Sequence, residues 1–257
     1  MKLFKVVERY NFLFSELVKR DFKQKYKRTV LGMVWSVLSP LLTLLVMKVI
    51  FTQFFGRTTP HYTIYLFSGN IIFSYYREST RAGMTSLVSN AGIISKINVP
   101  QYMFLLSRNV SALINFGLTI VVYFIFCIFD HIHFGPHMFM LLYPIICLLL
   151  MNVGIGMILS AWYVFFRDVD YLYSVFLTLL LYLSAIFYTV DSFPEKTQRL
   201  FLCNPVYVYI RYFRLNVIEG LIPSAKYHLL CAFYAVFFLV LGCLVYKRNR
   251  QKFLYYM

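Results

Sequence analysis

From Val30 to Phe55 the chain carries a single charged residue, Lys48. A run of that length and polarity belongs in the hydrocarbon core of a bilayer, which a helix of about 20 apolar residues can cross. Similar runs recur, and the hydropathy pattern predicts six spans, at about 30–55, 62–88, 102–129, 138–166, 171–190 and 227–246. The alternative, hiding the runs inside a soluble globule, fails on composition. Of 257 residues 60% are apolar and 14% charged, against roughly 45–50% and about 25% in soluble domains. A soluble cytosolic enzyme is therefore excluded, and the fold class expected is an all-α polytopic membrane protein.

Residues 1–29 form a unit of different character. Leu3, Val7, Tyr10, Phe14, Leu17 and Phe22 recur at three- to five-residue spacing, with Lys5, Arg9, Lys19, Arg20, Lys23 and Lys27 mostly between them. This pattern predicts an amphipathic helix on a membrane surface, with Glu16 and Arg20 paired at (i, i+4); packing of the helix on its own protein is the alternative, and both can hold together. No short apolar segment followed by a small-residue cleavage site opens the chain, so a removable signal peptide is not expected. Residues 30–257 make up the six-span domain.

The excess of 25 Lys+Arg over 10 Asp+Glu, a net charge of +15, reads as topology. With six spans, sixteen basic residues fall on the side of the termini and six on the other, with Lys48, Arg77 and Arg81 inside spans. The positive-inside rule puts both termini in the cytoplasm, and nucleic acid is not an expected partner. The stretch from Asp191 to Lys226 is too apolar for a solvated loop. Short re-entrant or interfacial external helices between spans five and six explain it, a folded outer loop being the alternative.

Chemistry of other kinds is missing. None of the eleven glycines is followed by lysine, so the chain has no P-loop with which to hold ATP. The five cysteines, Cys127, Cys147, Cys203, Cys231 and Cys243, form no CxxC pair and read as small hydrophobes. His131, His133 and His137 cluster beside Asp130, but one carboxylate and three interfacial histidines do not require a metal, and none is expected. Arg77, Glu78 and Arg81 share a helical face and are candidate contacts for a phosphate headgroup, either an interior ligand's or ordinary lipid's. Phe51, Phe54, Phe55, Tyr182, Phe187 and Tyr188 exceed what one interfacial belt needs. They are candidate channel lining, since ring faces stack on the C–H surface of sugars; simple packing is the alternative.

From Arg20 to Leu42, RDFKQKYKRTVLGMVWSVLSPLL, the chain resembles permease subunits of type 2 ABC exporters of bacterial polysaccharide (O-antigen, capsule and teichoic acid). Arg20, Asp21, Lys23, Tyr26, Leu31, Gly32, Trp35 and Pro40 match the family's pattern of a basic interfacial helix running into the first span. Ser86–Pro100 resembles the segment that docks on the ATPase subunit, Phe165–Tyr173 the second cytoplasmic turn, and Cys203–Arg214 the re-entrant external helices. Two departures stand out. Ser184-Ala185-Ile186 replaces a common Ser-Pro-Ile, so a proline bend is not carried over, and Val99-Pro100-Gln101 replaces a Phe-Pro-Arg-like step.

The resemblance implies a channel formed with a second copy of the chain in the bacterial plasma (inner) membrane. It also implies two ATP-binding subunits that carry the ATP and Mg, no cofactor on this chain and no catalysis by it, and a lipid-linked glycan as cargo among membrane lipids. The docking residues implied are Asn90, Ile93, Ile94, Lys96, Ile97, Pro100, Arg167, Asp168 and Asp170. Asn204, Pro205, Arg211 and Arg214 would belong to an external gate. A type 2 ABC exporter of drugs or small lipids shares the layout, and an ion-coupled carrier or channel working without an ATPase is a rival of another class.

Overall fold

The computed structural model describes residues 2–27, 29–55, 61–96 and 99–256. It is all-helical over those residues, with ten α-helices: α1 (Lys2–Tyr26), α2 (Trp35–Phe55), α3 (Tyr62–Thr85), α4 (Ala91–Ile94), α5 (Tyr102–Phe129), α6 (Leu142–Phe165), α7 (Val169–Leu183), α8 (Glu195–Phe201), α9 (Pro205–Val217) and α10 (Ala225–Tyr256). Three helical segments are long and apolar enough to cross a membrane: Tyr102–Phe129, Pro136–Phe165 and Ala225–Phe253. Trp35–Phe51 and Val169–Leu183 are apolar but shorter.

The middle of the bundle is α3, which packs on α2, α5, α6 and α9. It is buried along most of its length from Tyr62 to Met84, which explains its composition. Enclosure by other helices gives its fully buried hydroxyls partners beyond their own turn: Ser79 donates to Asn109 of α5, Thr80 accepts from Tyr173 of α7, and Ser68 accepts from Arg214 of α9. Where α3 crosses α6, Gly83 meets Gly156, and a Cβ on Gly83 would stand 3.0 Å from the Gly156 Cα. The α6–α10 crossing is closer still: a Cβ on Gly154 would overlap the Phe238 carbonyl, and one on Gly242 the Gly154 carbonyl. Without competing solvation to drive them together, helices in lipid gain by close backbone approach, and small residues permit it.

The predicted fifth span, 171–190, is not one helix. Its helical part, α7, has 15 residues and ends at Leu183, so at the helical rise it is about 22 Å long. The chain then turns through Ala185 at φ 49°. Residues Ala185, Ile186, Phe187 and Val190 continue non-helical and buried. Proline is not what breaks the helix. The apolar run looked continuous because the segment stays inside the protein. The 191–226 region contains two short helices, α8 with no buried residue and α9 buried along most of its length.

On α1, Leu17 is buried against Leu87, Met103, Phe104 and Phe253, while Phe12 is exposed. The helix therefore packs on its own protein along one side. The expected Glu16–Arg20 pair does not form. Glu16 takes Lys19 at 2.8 Å, and Arg20 turns to Asp21, because a buried acceptor outcompetes an exposed one. Of the cysteines, Cys203 and Cys243 are exposed and the other three buried, and all five are free.

Candidate functional site

Polar chemistry concentrates at two places. The first is the junction of α1, α5 and the 86–100 segment. Asp21, 4% exposed, receives Arg20 Nη2 at 2.7 Å, the Ser107 hydroxyl at 2.9 Å and the Arg108 guanidinium at 3.6 Å. A buried carboxylate persists only when its oxygens are filled in this way. Arg20 also donates to the Asn90 side-chain oxygen at 2.8 Å, and Asn90 donates to the Ser86 carbonyl at 2.7 Å. Asn90 is thereby wired to α1. An open cavity of about 850 Å³ beside it is lined by Arg20, Lys23, Lys27, Asn90, Ile93 and Arg108.

The other predicted docking residues lie around this end. Ile94 is buried in the cluster with Leu17 and Leu87, Ile93 packs on that cluster, and Lys96 is exposed. Pro100 is partly exposed, and Ile97 lies outside the described residues. Arg167 is exposed with its guanidinium 5.0 Å from the Tyr163 ring centre, and Asp168 is exposed.

The charged face of α3 divides among three neighbours, α1, α5 and α7. Glu78 accepts from Lys25 of α1 and from Asn115 of α5, both at 2.8 Å. Arg81 reaches Asp170 of α7 at 3.0 Å and the Ser174 hydroxyl at 3.2 Å. Arg77 is exposed. All three charges sit on α3, and the partners of Glu78 and Arg81 come from other helices, which helical spacing does not reveal.

The second place is the broken end of α7. Leaving the helix at Leu183 exposes a row of backbone carbonyls inside the protein, and each of those described here has a donor. Asn204 takes Leu183 at 3.1 Å, Arg214 takes Ala185 at 2.9 Å and Ile186 at 3.1 Å, and the hydroxyls of Tyr62 and Tyr65 take Phe187 and Tyr188 at 2.8 and 2.7 Å. Irregular backbone at membrane depth requires such satisfaction.

Arg214 is 2% exposed and also donates to the Tyr65 carbonyl at 3.1 Å and the Ser68 hydroxyl at 3.3 Å, with its guanidinium 3.4 Å from the Tyr65 ring centre. Gly69 makes the room: a Cβ there would lie 2.7 Å from Arg214 Nη2. Burial lowers the Arg214 pKa, yet arginine starts so high that it stays charged. Arg214 is thus an internal staple, whereas Arg211, part-buried on the same helix, is paired to Glu219 at 2.8 Å and Asp191 at 3.6 Å. Burial works against the Arg211 cation, but the two carboxylates outweigh it and raise its pKa.

Asn204 and Pro205 start α9. The Asn204 side chain accepts from the Val206 and Tyr207 amides at 3.0 and 3.4 Å, and proline suits the first helical position, where no amide bond is lost. Four of the six predicted lining aromatics meet here. Phe51 stacks on Phe187 with ring centres 4.5 Å apart, Tyr182 lies 6.2 Å from Phe187, and the Tyr188 hydroxyl donates to the Tyr182 carbonyl at 2.8 Å. The side chains of Phe54 and Phe55 lie outside the described residues. Nearby, Asp130 pairs with His61 at 2.8 Å. Among the described residues no group of three or more His, Cys, Asp or Glu is placed to hold a metal ion.

Asp21, Ser107 and Arg108 were not singled out as site residues from the sequence. Asp21, set directly between Arg20 and the basic residues that follow it in α1, was the available signal.

Residues 13–218 match the family described as ABC-2 type transporter. The chain belongs to that family. Its members are membrane permeases, which lack ATPase activity and imply an ATP-binding partner subunit, so the ABC-2 chain is a multi-pass membrane protein and not an enzyme. Both polar places lie within the matched region. Curated relatives extend over most of the chain. It is 27% identical to the O-antigen export system permease protein RfbA of Klebsiella pneumoniae, over 95% of this chain and 96% of that one. Identity is 21% to the polysialic acid transport protein KpsM of Escherichia coli, over 93% of each. It is 22% to the capsule polysaccharide export inner-membrane protein CtrC of Neisseria meningitidis serogroup A, over 76% of this chain and 74% of that one.

Proposed function

We propose that this ABC-2 permease exports a lipid-linked polysaccharide of the O-antigen, capsule or teichoic acid type across the bacterial inner membrane. Two copies would form the path and two ATP-binding subunits would drive it. The observation that carries the reading is the near full-length similarity to relatives whose names all specify polysaccharide export or transport. In this reading α2, α3, α5, α6, α7 with its buried continuation, and α10 make the six crossings, both termini are cytoplasmic, and α1 lies at the inner interface.

The ATP-binding subunit docks on residues 90–100 and on Arg167–Asp170. Arg20–Asn90 and Asp21–Arg108 pass its motion to α1 and α5. Headgroup contact falls to Arg77, because Glu78 and Arg81 are engaged with Lys25 and Asp170. Phe51, Tyr182, Phe187 and Tyr188 line the outer part of the path, and Arg211 with Glu219 and Asp191 forms the outer rim.

The test is co-purification with the neighbouring ATPase followed by hydrolysis assays. Glycan-lipid should stimulate ATP turnover, and Lys96→Ala should weaken that stimulation with the complex still assembled. Transport by the purified chain alone, with no ATPase present, would overturn the reading in favour of a self-sufficient carrier.

A further inference from the structure

Two cavities inside the protomer share a wall. One, of about 410 Å³, opens at the α1 end among Asp21, Gln24, Arg108 and Ser111. The other, of about 610 Å³, lies between α2, α3 and α5. Lys25, Glu78 and Ala112 line both, so the Lys25–Glu78 pair, 2.8 Å between charged atoms, stands where one cavity gives way to the other.

The larger cavity has an unusual lining for its depth. Ser39 and Thr43 of α2, Asn70 and Ser74 of α3, and Asn115 and Thr119 of α5 face it. Tyr75 and Phe116, stacked at 4.4 Å, form part of its wall. Polar side chains at membrane depth face a protein interior or a wet path, and here they alternate with Trp35, Met47, Ile71, Phe73 and Leu181, a mixed lining rather than the all-alkyl one that suits an acyl chain. Hydroxyls and amides beside a stacked aromatic pair suit a hydroxyl-bearing ring, whose C–H face packs on the aromatic while its oxygens exchange hydrogen bonds. Of the lining residues only Arg77 adds a charge to the Lys25–Glu78 pair.

We propose that this cleft is a hydrated antechamber within each protomer that seats a hydroxyl-rich chain segment, and that Lys25–Glu78 is its door. Only the occupant's identity as glycan rests on the export reading. The door has a fixed jamb and a moving leaf. Asn115 holds Glu78 in place from α5 at 2.8 Å, whereas Lys25 rides on α1, the helix that Arg20 ties to Asn90. A shift of α1 therefore draws Lys25 away from Glu78, while Asn115 keeps Glu78 on its own side of the pair; the same shift loads α5 through Asp21–Ser107 and Asp21–Arg108.

The test reads thiol accessibility, which needs no transport. Ser74→Cys, and Thr119→Cys as a second site in case the first perturbs packing, are introduced into the full chain in nanodiscs. Each is labelled with a sulfonate-bearing methanethiosulfonate and quantified by peptide mass spectrometry, with the exposed Cys203 as internal reference. Lys25→Ala should raise labelling at both sites about five-fold, the effect of losing roughly 1 kcal/mol of a half-exposed pair. The swap Lys25→Glu with Glu78→Lys should return it to the original rate.

Equal rates in all chains, or a swap that stays fast, would overturn the door. In the Lys25→Ala chain, protection by a short glucose oligomer supports the hydroxyl-rich occupant. Protection by lysophospholipid alone, or by neither, overturns it. Failure of the export reading would leave the accessibility pattern intact, so the two failures are distinguishable.

Discussion

Among the described residues no carboxylate pairs with Arg214, which is held in the protein interior by backbone oxygens and a tyrosine ring. Its function is to fill acceptors that the end of α7 leaves open, so removing it should be read as orphaned carbonyls. Each buried acceptor left without a donor costs about 1–3 kcal/mol. Arg214→Met keeps an unbranched apolar stem and loses every donor, and the unfolding midpoint of the purified chain in detergent should fall sharply. Arg214→Lys keeps the charge without the planar fork and should recover only part of the loss. Gly69→Ala should mimic Arg214→Met, because the added methyl would crowd the guanidinium. An unchanged midpoint in Gly69→Ala would show that the pocket can yield and that the staple is not tight.

At the scale of elements, what the sequence reveals depends on where each helix finds its partners. The long apolar helices α5, α6 and α10 and the basic, amphipathic α1 were legible because their surroundings leave a direct mark on composition. The start of α9 carries a local capping signal, Asn204-Pro205, which the sequence reading did not use. The end of α7 was not legible, since Ser184 to Val190 reads as apolar whether it is helical or irregular, and its donors come from Tyr62, Tyr65 and Arg214, far off in the chain. The Glu78–Lys25 and Arg81–Asp170 pairs were hidden for the same reason.

The turn itself makes a sharp prediction. Ala185 has φ 49°, a left-handed conformation closed to proline, whose ring holds φ near −65°. Ala185→Pro should therefore destabilise the chain by roughly 3 kcal/mol or more, while Ala185→Gly, which relieves left-handed strain at the cost of a buried methyl, should be near neutral. Equal thermal midpoints for the two variants would refute a left-handed turn there. A parallel argument applies to α6 and α10. Gly154→Val should separate the two helices and cost roughly 1–3 kcal/mol, and a cysteine pair across the crossing should crosslink more slowly.

For the molecule as a whole, the matter is how force from a partner would cross from the 86–100 segment into the bundle. That segment touches the rest of the chain through a buried apolar contact, Leu87, Ile94 and Val99 in the cluster with Leu17 and Phe253, and through the polar link Asn90–Arg20–Asp21. The apolar contact holds position but can slip. The polar link is directional, because Arg20 is shared between Asn90 and Asp21 and cannot follow one without pulling the other. Under the proposed coupling, Asn90→Ala should leave the complex assembled and ATP turnover running, while export per ATP falls about ten-fold, the equivalent of one charge-assisted hydrogen bond. Arg20→Ala should cost at least as much, since it also strips Asp21 of its nearest cation, and the double variant should be no worse than Arg20→Ala alone, since Asn90→Ala then removes nothing further from the link. Additive losses in export per ATP would mean that the two residues act on separate routes, and that force enters the bundle through the Ile94 contact instead.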